Sequence, residues 1–160
     1  MTFLAESDQL RKKAKNLIKS GRLQEAIDQL KEAIEIRIKL FDNKAESSRV
    51  LMDLYYDMAF CNEKLETSEN YIVSIEYNEK ALVEYKKCDV YLDGLRKMPK
   101  IYESLAKCYM MTDYYQESIY CGNEAKEICK DDKEMIAVEF CMGWSYYNLH
   151  QYDKAFNRSS

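Results

Sequence analysis

The chain has 160 residues, 47% of them apolar and 32% charged, with one proline, four glycines and a net charge of −4. That is enough apolar material for one domain with a continuous core and too much for a disordered segment. The mild acidity, without a long basic run, argues against a nucleic-acid partner, and no apolar run approaches membrane-spanning length. The first residues lack the basic stretch and apolar core of a secretion signal, so a cytoplasmic protein is expected, with the nucleus also open.

With so few breakers, long helices are expected to dominate. Asp8 to Lys19 reads as a helix with Leu10, Ala14, Leu17 and Ile18 on one face, closed by Gly21. Leu23 to Leu40 follows, with Ala26, Ile27, Leu30, Ala33 and Ile34 at amphipathic spacing. These form a hairpin over 7–40. A second hairpin, 48–87, pairs Ser48 to Leu65 with Tyr71 to Lys87.

The stretch Cys88 to Leu95 is the least regular, either a loop or a helix continuing with a kink at Gly94. Pro99 suits the first turn of the next helix, where its missing N–H is not needed. The third hairpin, 99–129, pairs Pro99 to Met111 with Tyr114 to Cys129, and Lys130-Asp131-Asp132 makes a polar turn. The fourth, 133–156, is Lys133 to Leu149, a tight turn holding His150, and a helix starting near Tyr152. About one turn of helix cannot close a stack. The chain is therefore expected to be a fragment of a longer protein, or to have its open end covered by a partner chain, with self-association there as one route.

A phrase recurs through these hairpins: a bulky residue, then a small one three places on, then a branched or aromatic one. The copies are Leu23/Ala26/Ile27, Tyr71/Ser74/Ile75, Tyr115/Ser118/Ile119 and Tyr152/Ala155/Phe156, each preceded by a small residue at Ala14, Ala59, Ala106 or Gly143. A further alanine follows the first three copies at Ala33, Ala81 and Ala125. Small residues at fixed helical offsets let two helices touch, and bulky neighbours fill the space between pairs, so a stack of antiparallel hairpins in a single domain over 1–160 is predicted. The interval from the first small residue to the second is fifteen in the second hairpin and twelve in the others. The extra residues, in or before Glu66 to Asn70, make either an added helical turn or a longer loop.

Six cysteines, Cys61, Cys88, Cys108, Cys121, Cys129 and Cys141, lie mostly inside helical patterns beside core residues and read as reduced, packed thiols. There is no Cys-x-x-Cys pair and no histidine at metal-ligand spacing, so no metal and no cofactor is expected. The sole histidine, His150, reads as a turn or solvent residue. With no phosphate loop, no Gly-x-Ser-x-Gly and no calcium-loop spacing, no enzymatic activity is expected.

The repeats resemble the tetratricopeptide family. The segments that carry the likeness are Gly21-Arg22-Leu23-Gln24-Glu25-Ala26-Ile27 with Leu30 and Ala33, Asn70-Tyr71-Ile72-Val73-Ser74-Ile75 with Ala81, Asp113 to Ile119 with Ala125, and Gly143-Trp144 followed by Gln151 to Ala155. Asn62, Gly122 and Glu139 depart from the family pattern, and the intervals between copies, 48, 44 and 37, exceed the usual repeat of about 34. Such long units resemble LGN-type spindle-orientation adaptors, Tonsoku-type scaffolds, kinesin light chains and bacterial peptide-pheromone receptors.

The resemblance implies an all-α, right-handed superhelix of antiparallel hairpins, a solenoid whose first helices line a concave groove. Carried over by register, the groove positions are Arg11, Lys15 and Lys19, then Asp53, Tyr56, Phe60 and Glu63, then Lys100, Glu103, Lys107 and Met111, and last Phe140, Trp144, Tyr147 and Asn148. That wall suits a peptide segment of a partner protein with acidic and bulky side chains. Trp144 and Lys107 are its foremost candidates. The competing reading makes the lysines a solvated face and the aromatics inter-helix packing. Carboxylate-clamp recognition is not expected, since Lys15 and Asp57 stand where that mode needs asparagines. A non-enzymatic scaffold or adaptor is the reading this favours. The alternative is a receptor for a short signalling peptide that alters the pitch of the superhelix.

Overall fold

The computed structural model describes the backbone of residues 2–88 and 91–159 and the side chains of residues 2–88 and 98–154. Among the described residues are seven helices and no strand: α1 Phe3–Lys19, α2 Leu23–Lys39, α3 Ala45–Leu65, α4 Ser68–Lys86, α5 Tyr91–Met111, α6 Tyr115–Ile128 and α7 Asp132–Ser159. The chain, read as one domain from its sequence, divides into two compact units, Met1–Gly94 and Leu95–Ser160, and the division falls within α5.

In the first unit α1 packs on α2, α2 on α3, and α3 on α4. The small residues of the repeated phrase sit at the contacts: Ala14, Ala26, Ala33, Ala59 and Ala81 are all 0% exposed. Ser74 is buried as well, and its hydroxyl donates to the carbonyl of Ala59 at 2.8 Å, across the α3–α4 hairpin. Around them Leu30, Leu51, Leu54 and Met58 fill the core, as bulky residues must where helices approach at alanine.

Helix α1 begins at Phe3, a turn earlier than the apolar pattern indicates, because Thr2 caps it by accepting from the amide of Ala5. Its start is tied to α2 by Arg37, which donates to Ser7 at 3.1 Å and to Asp8 at 2.8 Å. Helix α3 likewise starts early, at Ala45. Asp42 there accepts from the Lys44 amide and the Ser47 hydroxyl, and Asn43 takes a φ of 61°.

The three extra residues of the second hairpin go into helix. Helix α4 gains the turn Ser68-Glu69-Asn70, and only Glu66 and Thr67 link α3 to it. Asn62 explains why. Its amide donates to the Met58 carbonyl at 2.9 Å and its oxygen accepts from Asn70 at 3.0 Å, pinning the added turn to α3. Asn62 departs from the repeat pattern, then, because it serves as a buried polar anchor.

In the second unit α5 and α6 pair through Ser118, which donates to the Ala106 carbonyl at 2.7 Å, and α6 packs on α7. Gly122 permits that second contact: a Cβ there would lie 2.4 Å from Cγ of Met142. Close approach of α7 excludes a side chain from this place.

Two expectations fail in this unit. Pro99 is not in a first turn; α5 starts at Tyr91, and Pro99 lies in its interior, where the helix forgoes one hydrogen bond. Asp89 and Val90, in the irregular stretch, lie outside the described residues. The fourth hairpin is absent. Helix α7 runs unbroken through Leu149, His150 and Gln151, so His150 is helical and exposed rather than in a turn. The physical difference is visible in the other turns. Each hairpin reverses on a left-handed residue seven places after its first small residue: Gly21 (φ 77°), Glu66 (φ 58°) and Asp113 (φ 66°). The corresponding residue after Gly143 is His150, which stays right-handed and lets the helix continue.

Candidate functional site

In the first unit the predicted wall is largely engaged by its own neighbours. Arg11 on α1 lies 3.5 Å from Asp53 and 3.4 Å from Asp57 on α3, all three half-buried. The guanidinium joins two helices instead of facing an open groove. Lys15 and Lys19 are exposed. Tyr56 is half-buried, and so is Phe60, whose ring lies 5.3 Å from the ammonium of Lys64. Glu63 is buried, with Lys64 at 4.0 Å.

The second unit presents more open surface. On α5, Lys100 and Met111 are exposed, whereas Glu103 and Lys107 are half-buried. On α7, Phe140, Trp144 and Tyr147 are 65%, 49% and 57% exposed. At about 100° per residue they fall on one side of the helix. The opposite side, with Val138, Cys141, Met142 and Ser145, is buried. The rings of Trp144 and Tyr147 lie 6.0 Å apart at 32°. Asn148 is less available, because its amide donates back to the Trp144 carbonyl at 2.8 Å. Of the fifteen predicted groove residues, all of them among the described residues, Phe140, Trp144 and Tyr147 on α7 form the only continuous exposed apolar row.

Three members of this face escaped the sequence reading. Ile136 is exposed one turn before Phe140. Gln151 and Lys154 extend the row past the expected turn, on backbone that the sequence assigned elsewhere. Gly143 lies among them with no atom within 4 Å of a Cβ built on it. Its spacing was visible, but its exposure depends on the missing fold-back. The sequence also gave no sign of an apolar cleft of about 170 Å³ lined by Phe3, Ile36, Lys39 and Leu40.

All six cysteines are free, with Cys61, Cys108, Cys121 and Cys141 buried. Burial, then the charge of Asp57, pushes the Cys61 thiol up to about 12, so it is a poor nucleophile at neutral pH. Burial and a hydrogen bond to Asp113 push Tyr115 up to about 12. Among the described residues no three His, Cys, Asp or Glu side chains are grouped so as to hold a metal, and no helix is long and apolar enough to cross a membrane. No family model and no curated protein matches the chain.

Proposed function

We propose that the chain is a non-enzymatic interaction scaffold of tetratricopeptide-like hairpins, stacked as a solenoid, that holds a segment of a partner protein. The observation that carries this reading is the exposed row Phe140, Trp144, Tyr147 on α7. Large aromatics on a rigid helix lose little conformational freedom on contact, and desolvating them supplies most of the affinity at such surfaces. The opposite side of α7 is already buried, so exposure of this row does not reflect a loosely packed helix. Exposed Lys100, in the same unit as α7, would favour approach of an acidic segment and set its encounter rate more than its affinity.

Calorimetry with short acidic peptides carrying Leu, Phe or Trp tests the reading. Micromolar binding is expected for the wild type. Trp144→Ala should weaken it about thirtyfold, the equivalent of about 2 kcal/mol, with helix content unchanged. Binding that is indifferent to Trp144→Ala and Phe140→Ala would remove the α7 face from the function. Unfolding of Trp144→Ala would return Trp144 to the core.

A further inference from the structure

We propose that α7 is a fourth hairpin in its open form, and that its C-terminal part covers the Gly143 face of a second copy of this chain in an antiparallel α7–α7 pair. The inference builds on the α7 face as a binding surface and names its occupant.

The first argument is the repeat register. In each of the first three hairpins the first small residue and the small residue of the following helix, Ala14 and Ala26, Ala59 and Ser74, Ala106 and Ser118, are all 0% exposed, and in the second and third a hydrogen bond joins the two. The fourth pair is Gly143 and, twelve places on, Ala155. In a continuous helix twelve residues span about 18 Å, so α7 cannot cover its own Gly143. That position is exposed and open, as a first small residue without its covering helix should be. The same contact between two copies restores it, which is the logic of exchanging an element between protomers.

The second argument is independent of the repeat. Phe140, Trp144, Tyr147, Gln151 and Lys154 are spaced four, three, four and three apart, the seam of a helix that pairs with another helix. All five are exposed. Gly143 lies beside this seam and permits close approach of two backbones.

The third argument is charge. A parallel pair would set Lys154 against Lys154, which repel. An antiparallel pair in the Gly143-to-Ala155 register sets Lys154 over Trp144 of the other copy and Gln151 against Tyr147. A lysine over an indole face is attractive, the more so when desolvated. The register demanded by the repeat is thus the one that gives the lysine a partner.

Light scattering of the wild type from low to high micromolar concentration should show a species of twice 19.0 kDa. Gly143→Leu, which has room in the protomer, should give the single mass at unchanged helix content. His150→Gly restores the residue type that reverses the chain at Gly21 and should also give the single mass, by folding α7 back on itself. When Tyr147→Cys and Gln151→Cys chains are mixed and oxidised, disulfides should form between the two variants. A wild type of single mass at all concentrations overturns the proposal but leaves the α7 face free for a foreign peptide. A dimer that survives both Gly143→Leu and His150→Gly overturns it. So does cross-linking of Tyr147→Cys to itself in preference to Gln151→Cys. If Gly143→Leu loses helix content, His150→Gly decides the matter alone.

Discussion

The hydroxyl of Ser118 donates to the carbonyl of Ala106 at 2.7 Å, from the second helix of a hairpin to the first, and Ser74 repeats the bond with Ala59 at 2.8 Å. The first hairpin has Ala26 in this place, with no hydroxyl to give. Contact is thus the common requirement, and the hydrogen bond an addition in two copies. Ser118→Ala should lose about 1 kcal/mol, offset in part by the better helix propensity of alanine. Ser118→Leu and Ala81→Leu overfill completely buried places and should each cost about 1–3 kcal/mol. Urea midpoints would check the order. A leucine tolerated at either site would mean that the helices do not touch there.

The spacing of small and bulky residues made six of the seven helices legible, because helix pairing at alanine and serine leaves a periodic trace. Boundaries were less legible where polar caps such as Thr2 and Asp42 extend a helix beyond its apolar stripe. The fourth turn was misread because Gly143 and Ala155 keep the twelve-residue hairpin interval, whereas His150, at the reversal point, does not adopt the left-handed conformation. The α7 aromatics were legible by register, whereas Arg11 was not. A residue facing a groove and a residue bridging two helices have the same spacing, and only the placement of Asp53 and Asp57 separates them.

That separation can be measured. With Arg11 between two half-buried carboxylates, Arg11→Ala removes a cation that Asp53 and Asp57 share. A loss of stability of about 1 kcal/mol is expected, larger at low salt, with peptide affinity little changed. The opposite pattern, full stability with lost binding, would restore Arg11 to the binding surface.

Gly122 offers a test of how tightly α6 meets α7. An added Cβ would lie 2.4 Å from Cγ and 2.7 Å from Sδ of Met142. Gly122→Ala gains about 1 kcal/mol of helix propensity but forces Met142 from its place, and overpacking of this kind costs about 1–3 kcal/mol. Net destabilisation is expected. In the Met142→Ala background the clash is gone, and the same substitution should become stabilising. Additive effects in the two backgrounds, read from a double-mutant cycle of thermal midpoints, would contradict the close contact.

Alkaline pH should destabilise the chain, with two buried acids, Tyr115 and Cys61, contributing the largest shifts among the groups raised. Tyr115 is buried, and its hydroxyl donates to Asp113, the residue that turns the chain between α5 and α6 with a φ of 66°. Burial first, then that hydrogen bond, raises its pKa from 10.0 to about 12, and burial raises Cys61 from 9.0 to about 12. In both cases the folded state holds the proton more tightly than the unfolded chain. Their stabilising contribution is therefore complete below pH 9 for the thiol and below pH 10 for the phenol, and it fades as pH climbs toward about 12. Urea midpoints should accordingly be flat approaching pH 9 and fall above it. Tyr115→Phe removes one titration and should make the decline above pH 10 shallower, while lowering stability at neutral pH through loss of the bond to Asp113. Cys61→Ala should flatten the earlier part of the decline, between pH 9 and 10, while lowering stability at all pH values through the small cavity it leaves. A decline with the same slope in both variants and the wild type would place the alkaline sensitivity in other groups.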